Sequence, residues 1–259
     1  MSTLEIALRS IRDDGRKALA IYLMAGVVPN WLDHVAAAAD GGADLVEIGA
    51  PFSDPIMDGV VIQQAATKAL EAGTTLVSAL AELSTRSLGI PQVLMTYANV
   101  LHRQGWEPIS AALQNAAITG VILPDLPPEE SRDIDPILLT HDLAPIRIFA
   151  PSTSPQRAHI IATHCHGFAY AAASMSVTGK AQGVGLAQQV CSVIRETSDL
   201  PVYVGIGISS PEDAAAAIQF ADGAIVGSAL VCQIMNGGTP DETRQLVAAL
   251  RSAIDAASK

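Results

Sequence analysis

The order of segments along this chain predicts an α/β protein whose parallel sheet closes into a single (β/α)8 barrel. Three observations carry that expectation. Short apolar runs alternate with longer amphipathic or Ala-rich stretches about eight times. Strands that alternate with helices pair in parallel through right-handed crossovers. A length of 259 residues suits one such barrel, and no linker rich in Pro, Ser or charge divides it, so one domain over 1–259 is expected.

Each element has its own reason. Leu4–Asp14 has amphipathic spacing and is read as an extra N-terminal helix, a lid on the barrel floor. Ala18–Ala25 is an apolar strand stopped by Gly26 and Pro29; Trp31–Ala39 is Ala-rich and helical, ended by Gly41-Gly42. Leu45–Gly49 is the second strand. Ile62–Ala72 and Leu76–Thr85 both read as helices, so the β2–β3 crossover carries one more than the repeat needs. Gln92–Tyr97 (strand) and Pro108–Ala117 (helix) follow, then Val121–Pro124 (strand) and Glu129–His141, a helix that Pro136 interrupts or splits. Pro145–Ala150, Phe168–Ala173, Val202–Val204 and Ala224–Val226 are the remaining strands. The helices between and after them are Pro155–His164, Leu186–Thr197, Pro211–Phe220 and Glu242–Ala257. A dinucleotide-binding sheet fits less well, because Gly205-Ile-Gly207 comes late and Ser210 stands where a third glycine belongs.

Composition removes several function classes. Hydrophobic residues make up 49%, which excludes a disordered chain. The net charge of −11 argues against non-specific nucleic-acid binding, and any anionic ligand must be held by a local device. No apolar run reaches the roughly 20 residues of a membrane span. The N-terminus mixes charges into a helical pattern without a signal-peptide core, so a cytoplasmic protein is expected. Cys165, Cys191 and Cys232 are scattered and read as reduced thiols. His164-Cys165-His166 closes a helix, where dipole and capping explain it without a metal.

The candidate chemistry sits at strand ends, where a barrel builds its active face. Glu47 lies within an apolar strand, where an ionised carboxylate is costly without a partner. Asp58 follows in a turn-rich loop just before a helix, so the two make a plausible acid–base pair. Asp54 in Ser-Asp-Pro reads as a turn former, and Asp125 in Pro-Asp-Leu-Pro-Pro as either a turn cap or a site residue. Gly205, Gly207 and Gly227 leave backbone amides bare, and Ser228 opens a short helical segment; together they suit a phosphate, although tight turns alone would also use these glycines. The loop after strand six, with Thr178, Gly179, Gly183 and Gly185, has the composition of a closing lid or of an ordinary surface loop.

Six stretches in order make the chain resemble the tryptophan synthase α subunit family. They are Glu47–Gly59, Met95–Asn99, Pro124–Ser131, Ser176–Gly179, Gly205–Glu212 and Val226–Ser228. The resemblance covers nearly the full length. It implies a (β/α)8 TIM barrel that cleaves indole-3-glycerol phosphate to indole and glyceraldehyde 3-phosphate. By that likeness Glu47 and Asp58 are catalytic. Tyr22, Met95, Tyr97, Ile122, Asp125, Tyr170, Thr178 and Ile206 contact substrate, while Gly179, Gly205, Gly207, Gly227 and Ser228 take the phosphate. No cofactor or metal is implied for the chain itself. The implied partner is a pyridoxal-phosphate-dependent β subunit in an α2β2 complex, with no nucleic acid and no membrane. A stand-alone lyase and a mainly regulatory subunit are the competing readings; the lack of a lysine at the strand ends, Lys180 apart, counts against another indole-phosphate barrel. Val60 and Ser176 depart from the family's usual proline and glycine, changes that bear on loop closure and partner coupling rather than on fold.

Overall fold

Eight parallel strands pair in sequence order and close on themselves, β1 with β2 through to β8 with β1. The computed structural model describes residues 1–172, 180–205 and 207–258. The strands are β1 (Ala18–Met24), β2 (Leu45–Gly49), β3 (Gln92–Met95), β4 (Ile118–Ile122), β5 (Ala144–Phe149), β6 (Ala169–Ala172), β7 (Val202–Gly205) and β8 (Gly223–Val226). The helices are α1 (Thr3–Asp13), α2 (Trp31–Asp40), α3 (Val60–Glu71), α4 (Leu76–Leu83), α5 (Ala98–His102) and α6 (Trp106–Asn115). They continue with α7 (Asp135–Thr140), α8 (Pro155–Thr163), α9 (Lys180–Thr197), α10 (Pro211–Ala217), α11 (Ser228–Met235) and α12 (Pro240–Ala257). Both extra helices expected from the sequence, α1 and α4, are present.

The differences from expectation are local. Pro136 falls in the first turn of α7, where its missing N–H costs nothing, so the helix begins there instead of at Glu129. β4 starts at Ile118, because Ala117 takes a positive φ of 57° and ends the α6 turn abruptly. Helix α9 begins at Lys180, through Gly183 and Gly185, ahead of the expected Leu186. The short α5 is new.

Strand side chains alternate between two environments. Leu19, Ile21, Val46 and Ile48 pack outward in the large cluster formed with the helices. Ala20, Leu45, Val93, Ile122, Ile146, Tyr203 and Ile225 form a second cluster inside the barrel. Glu47 shares the inward row of β2 with Leu45 and pairs in register with Tyr22 of β1 and Val93 of β3. Leu4 and Leu8 of α1 enter the inner cluster from below, near stacked Phe168 and Tyr203 (ring centroids 4.7 Å apart). Burying a leucine of this kind is worth about 1.5–3 kcal/mol. The space for Leu4 exists because Gly120 and Gly167 lack side chains: a Cβ at either would lie 2.8 or 2.9 Å from its Cδ2. Among the described residues the inner face is therefore filled below, and the cavity lies above, at the C-terminal strand ends.

Candidate active site

One cavity of about 240 Å³ opens at that upper end. Glu47 reaches it from mid-strand because the β2 alternation points it inward between Leu45 and Gly49. The residue is only 1% exposed, and Oε2 has no hydrogen-bond partner among the described residues. Burial, followed by the charge of Asp58, raises its pKa to about 8. At neutral pH Glu47 thus carries its proton and sits near the threshold of losing it, as a general acid and base requires.

Asp58 enters from the loop between β2 and α3. A turn closed by Asp58 N–H to Pro55 O (3.1 Å) shapes that loop, and Gln63 donates to the Asp58 carbonyl at 2.9 Å. Its carboxylate accepts a hydrogen bond from Tyr97 Oη at 2.9 Å. Burial raises the Asp58 pKa, and the bond from Tyr97 opposes that rise. The phenols of Tyr22 and Tyr170 also line the cavity, and their pKa values stand well above the usual 10, chiefly through burial and then through the two carboxylates. Both phenols remain neutral donors at any working pH.

The rest of the lining divides by chemistry. Met95, Ile62, Ile148 and Ile225 supply an apolar wall. Gly207, Ser209, Gly227 and Ser228 also line the cavity, and Ser228 is the first residue of α11. Helix amides with no side chain in front of them attract an anion. None of the described lining residues is Lys or Arg.

Some expected residues lie elsewhere. Ile122 is fully buried in the inner cluster and does not reach the cavity. Asp125 accepts from Ala98 N–H at 2.9 Å with Oδ1, at the N-terminus of α5. Tyr97 stands behind Asp58, outside the main cavity. Gly205 lies under Tyr170, where a Cβ would be 2.2 Å from the phenol oxygen; its bareness makes room for a ring. Gly207 has φ +88°, which only glycine adopts easily. Thr178, Gly179 and Ile206 fall outside the described residues. Asp54 keeps to its turn, bonded by Ser53 Oγ at 2.6 Å. Sequence reasoning missed Ile148 and Ile225, which period-two alternation on β5 and β8 places inward, and Met57, the neighbour of Asp58. Among the described residues no His, Cys, Asp or Glu cluster could hold a metal.

The tryptophan synthase alpha chain family model matches residues 8–258. The chain belongs to the tryptophan synthase alpha chain family. A relative from Chloroflexus aggregans with that name is 39% identical over 96% of both chains, and one from Streptomyces coelicolor is 41% identical over 92% of this chain and 89% of its own. Among solved structures, Mycobacterium tuberculosis tryptophan synthase superposes with a TM-score of 0.90 at 36% identity, covering 98% of each chain. The subunit alpha from Legionella pneumophila gives 0.88 at 30% identity, covering 99% of each. Tryptophan synthase alpha chains are lyases of tryptophan biosynthesis that cleave indole-3-glycerol phosphate. The apolar wall of the cavity, its bare amides and its paired carboxyls are the three features such a substrate needs.

Proposed function

We propose that this chain, folded as one domain, cleaves indole-3-glycerol phosphate with Glu47 and Asp58 as its catalytic groups. The observation that carries the assignment is the buried Glu47 carboxyl, unpartnered at Oε2 among the described residues and held near pKa 8, in one cavity with Asp58. Protonated Glu47 gives its proton to indole C3, which becomes sp³ and leaves positive charge on the ring nitrogen. Asp58 accepts the indole N–H and stabilises that charge. The Glu47 carboxylate then takes the proton of the hydroxyl on the adjoining side-chain carbon. The O–H electrons form the aldehyde carbonyl, the C–C bond electrons restore the indole C2–C3 double bond, and Glu47 ends protonated as it began.

The ring would lie against Met95, Ile148 and Tyr170, and the phosphate against Gly207, Gly227 and Ser228. Gly179, Gly205, Thr178 and Ile206 join these by family likeness. The chemistry needs no cofactor, because protons alone move.

The partner reading is an α2β2 complex with a pyridoxal-phosphate-dependent β subunit in the cytoplasm. It is supported by an exposed apolar strip on the catalytic loop and the start of α3: Ile56 is 81% exposed, Met57 57% and Val60 68%. No described helix is long and apolar enough to cross a membrane. The test is indole release from indole-3-glycerol phosphate by the purified chain, with and without a β subunit. Acceleration by β supports the complex, fast release alone supports a stand-alone lyase, and β activation without cleavage supports a regulatory subunit. Glu47→Gln should abolish release while leaving substrate binding largely intact; full activity in that variant removes Glu47 from the mechanism.

A further inference from the structure

Tyr97 follows β3 and is only 6% exposed. It does not line the main cavity. Instead it borders a small void of about 10 Å³ behind Asp58, together with Phe52 and Thr96. Its ring stacks on Phe52, with centroids 4.7 Å apart and planes 29° from parallel. Its hydroxyl makes two bonds to consecutive residues of the catalytic loop. It accepts from Met57 N–H at 3.0 Å and lies 2.9 Å from Asp58 Oδ2.

A phenol has one proton. The Met57 N–H uses an oxygen lone pair, so the proton is free to go to Asp58. That arrangement favours the ionised carboxylate, which can only accept. It also fixes which oxygen faces backward: Oδ2 meets Tyr97, and Oδ1 is left for the ligand. Apart from Ala50 N–H to Met95 O at the start of the loop (3.0 Å), its other described hydrogen bonds run within it or to Gln63 of α3, so among the described residues only Tyr97 ties Asp58 itself to a different strand.

We propose that Tyr97 is a positioning residue that anchors the Asp58 loop to β3 and holds the Asp58 carboxylate in place, rather than a residue that contacts substrate. The claim rests on the reading of Asp58 as the acceptor of the indole N–H. Several groups act on this carboxylate. Glu47 on β2, Tyr22 on β1 and Tyr170 on β6 share the cavity with it, while Asp125 after β4 acts on the Tyr97 phenol. Burial favours protonated Asp58, and the Tyr97 hydroxyl opposes it. Loss of the hydroxyl therefore lets Asp58 keep its proton to higher pH.

The test is Tyr97→Phe, which keeps the ring on Phe52 and removes both bonds. Indole release is measured across pH, and binding of indole-3-propanol phosphate, which carries ring and phosphate but no hydroxyl to deprotonate, is measured alongside. The expected result is a fall in kcat of about 10–100-fold, the range spanned by one hydrogen bond to a charged group. Binding should change little, and the acid limb of the kcat/KM profile should move to higher pH. In addition, the Asp58 carboxyl is titrated by carbon NMR in the parent and variant chains, with no substrate present; its pKa should rise in the variant. Unchanged kcat and an unchanged Asp58 titration overturn the proposal. So does weakened analogue binding with kcat intact, which would make Tyr97 a substrate contact. If the parent chain itself releases no indole, the functional reading fails separately, and the Asp58 titration alone decides the role of Tyr97.

Discussion

Tyr22 occupies the space in front of Gly49, so that a Cβ on that glycine would lie 2.0 Å from the phenol oxygen and 2.5 Å from Cζ. The same relation recurs across the barrel between Tyr170 and Gly205, at 2.2 Å. Each cavity tyrosine thus depends on a bare position at the end of the next strand. Gly49→Ala is expected to destabilise the fold by about 1–3 kcal/mol and to lower kcat/KM by tilting Tyr22. Combining it with Tyr22→Leu should recover stability, with a coupling of about 1 kcal/mol or more in a double-mutant cycle of urea unfolding. Simple additivity would show that the two residues do not compete for space.

Glu47 gives stability a pH dependence of defined sign. The folded carboxyl keeps its proton to about 8, whereas an unfolded one releases it near 4.5. Its contribution is full below 4.5 and is lost as pH rises through 8. Glu47→Gln cannot ionise, so it should exceed the parent in stability above that range, by on the order of 1–3 kcal/mol, and show no such gain at acid pH. Urea unfolding of both proteins across the window checks this; a pH-independent difference refutes it.

The apolar strip on the catalytic loop gives a binding prediction. Ile56→Asp should weaken β-subunit capture about 10–100-fold, as loss of an interface anchor does. Indole release by the isolated chain should stay near that of the parent, because Ile56 does not line the cavity. Titration of the labelled chain with β subunit reads the first effect, and undiminished capture would move the docking surface elsewhere.

A buried ion pair behind β5 predicts a stability effect away from the site. Arg147 donates to Asp135 and, at 2.8 Å, to Ser131 Oγ, and both members of the pair are nearly enclosed. Asp135→Ala should cost about 3–5 kcal/mol by stranding the guanidinium. Replacing both, as Asp135→Leu with Arg147→Met, should restore most of that loss. Thermal and urea unfolding measure it; equal losses in the single and double variants would contradict the account.

The barrel was legible in the sequence because each strand is a short apolar run bounded by Gly or Pro, and because the order of elements leaves few topologies. Glu47 was legible for the opposite reason: a carboxyl inside such a run has no structural excuse. Arg147 interrupts β5 in the same way, a signal of equal kind. What stayed hidden depends on contacts across the chain. Nothing near Gly205 says that Tyr170 needs its space. Nothing near Tyr97 says that its hydroxyl reaches Asp58, 39 residues earlier. Helix α5 has five residues, too few for periodicity to register, and Asp125 is explained only once that helix exists.

Leu4, Leu8, Phe168 and Tyr203 close the floor of the barrel beneath the cavity. Indole formed there would leave toward the strand-end rim, where Met57 lines the cavity and Ile56 is exposed. The protein by itself therefore sets no destination for its oily product. Whatever surface covers that rim decides whether the ring is handed onward or lost to bulk water.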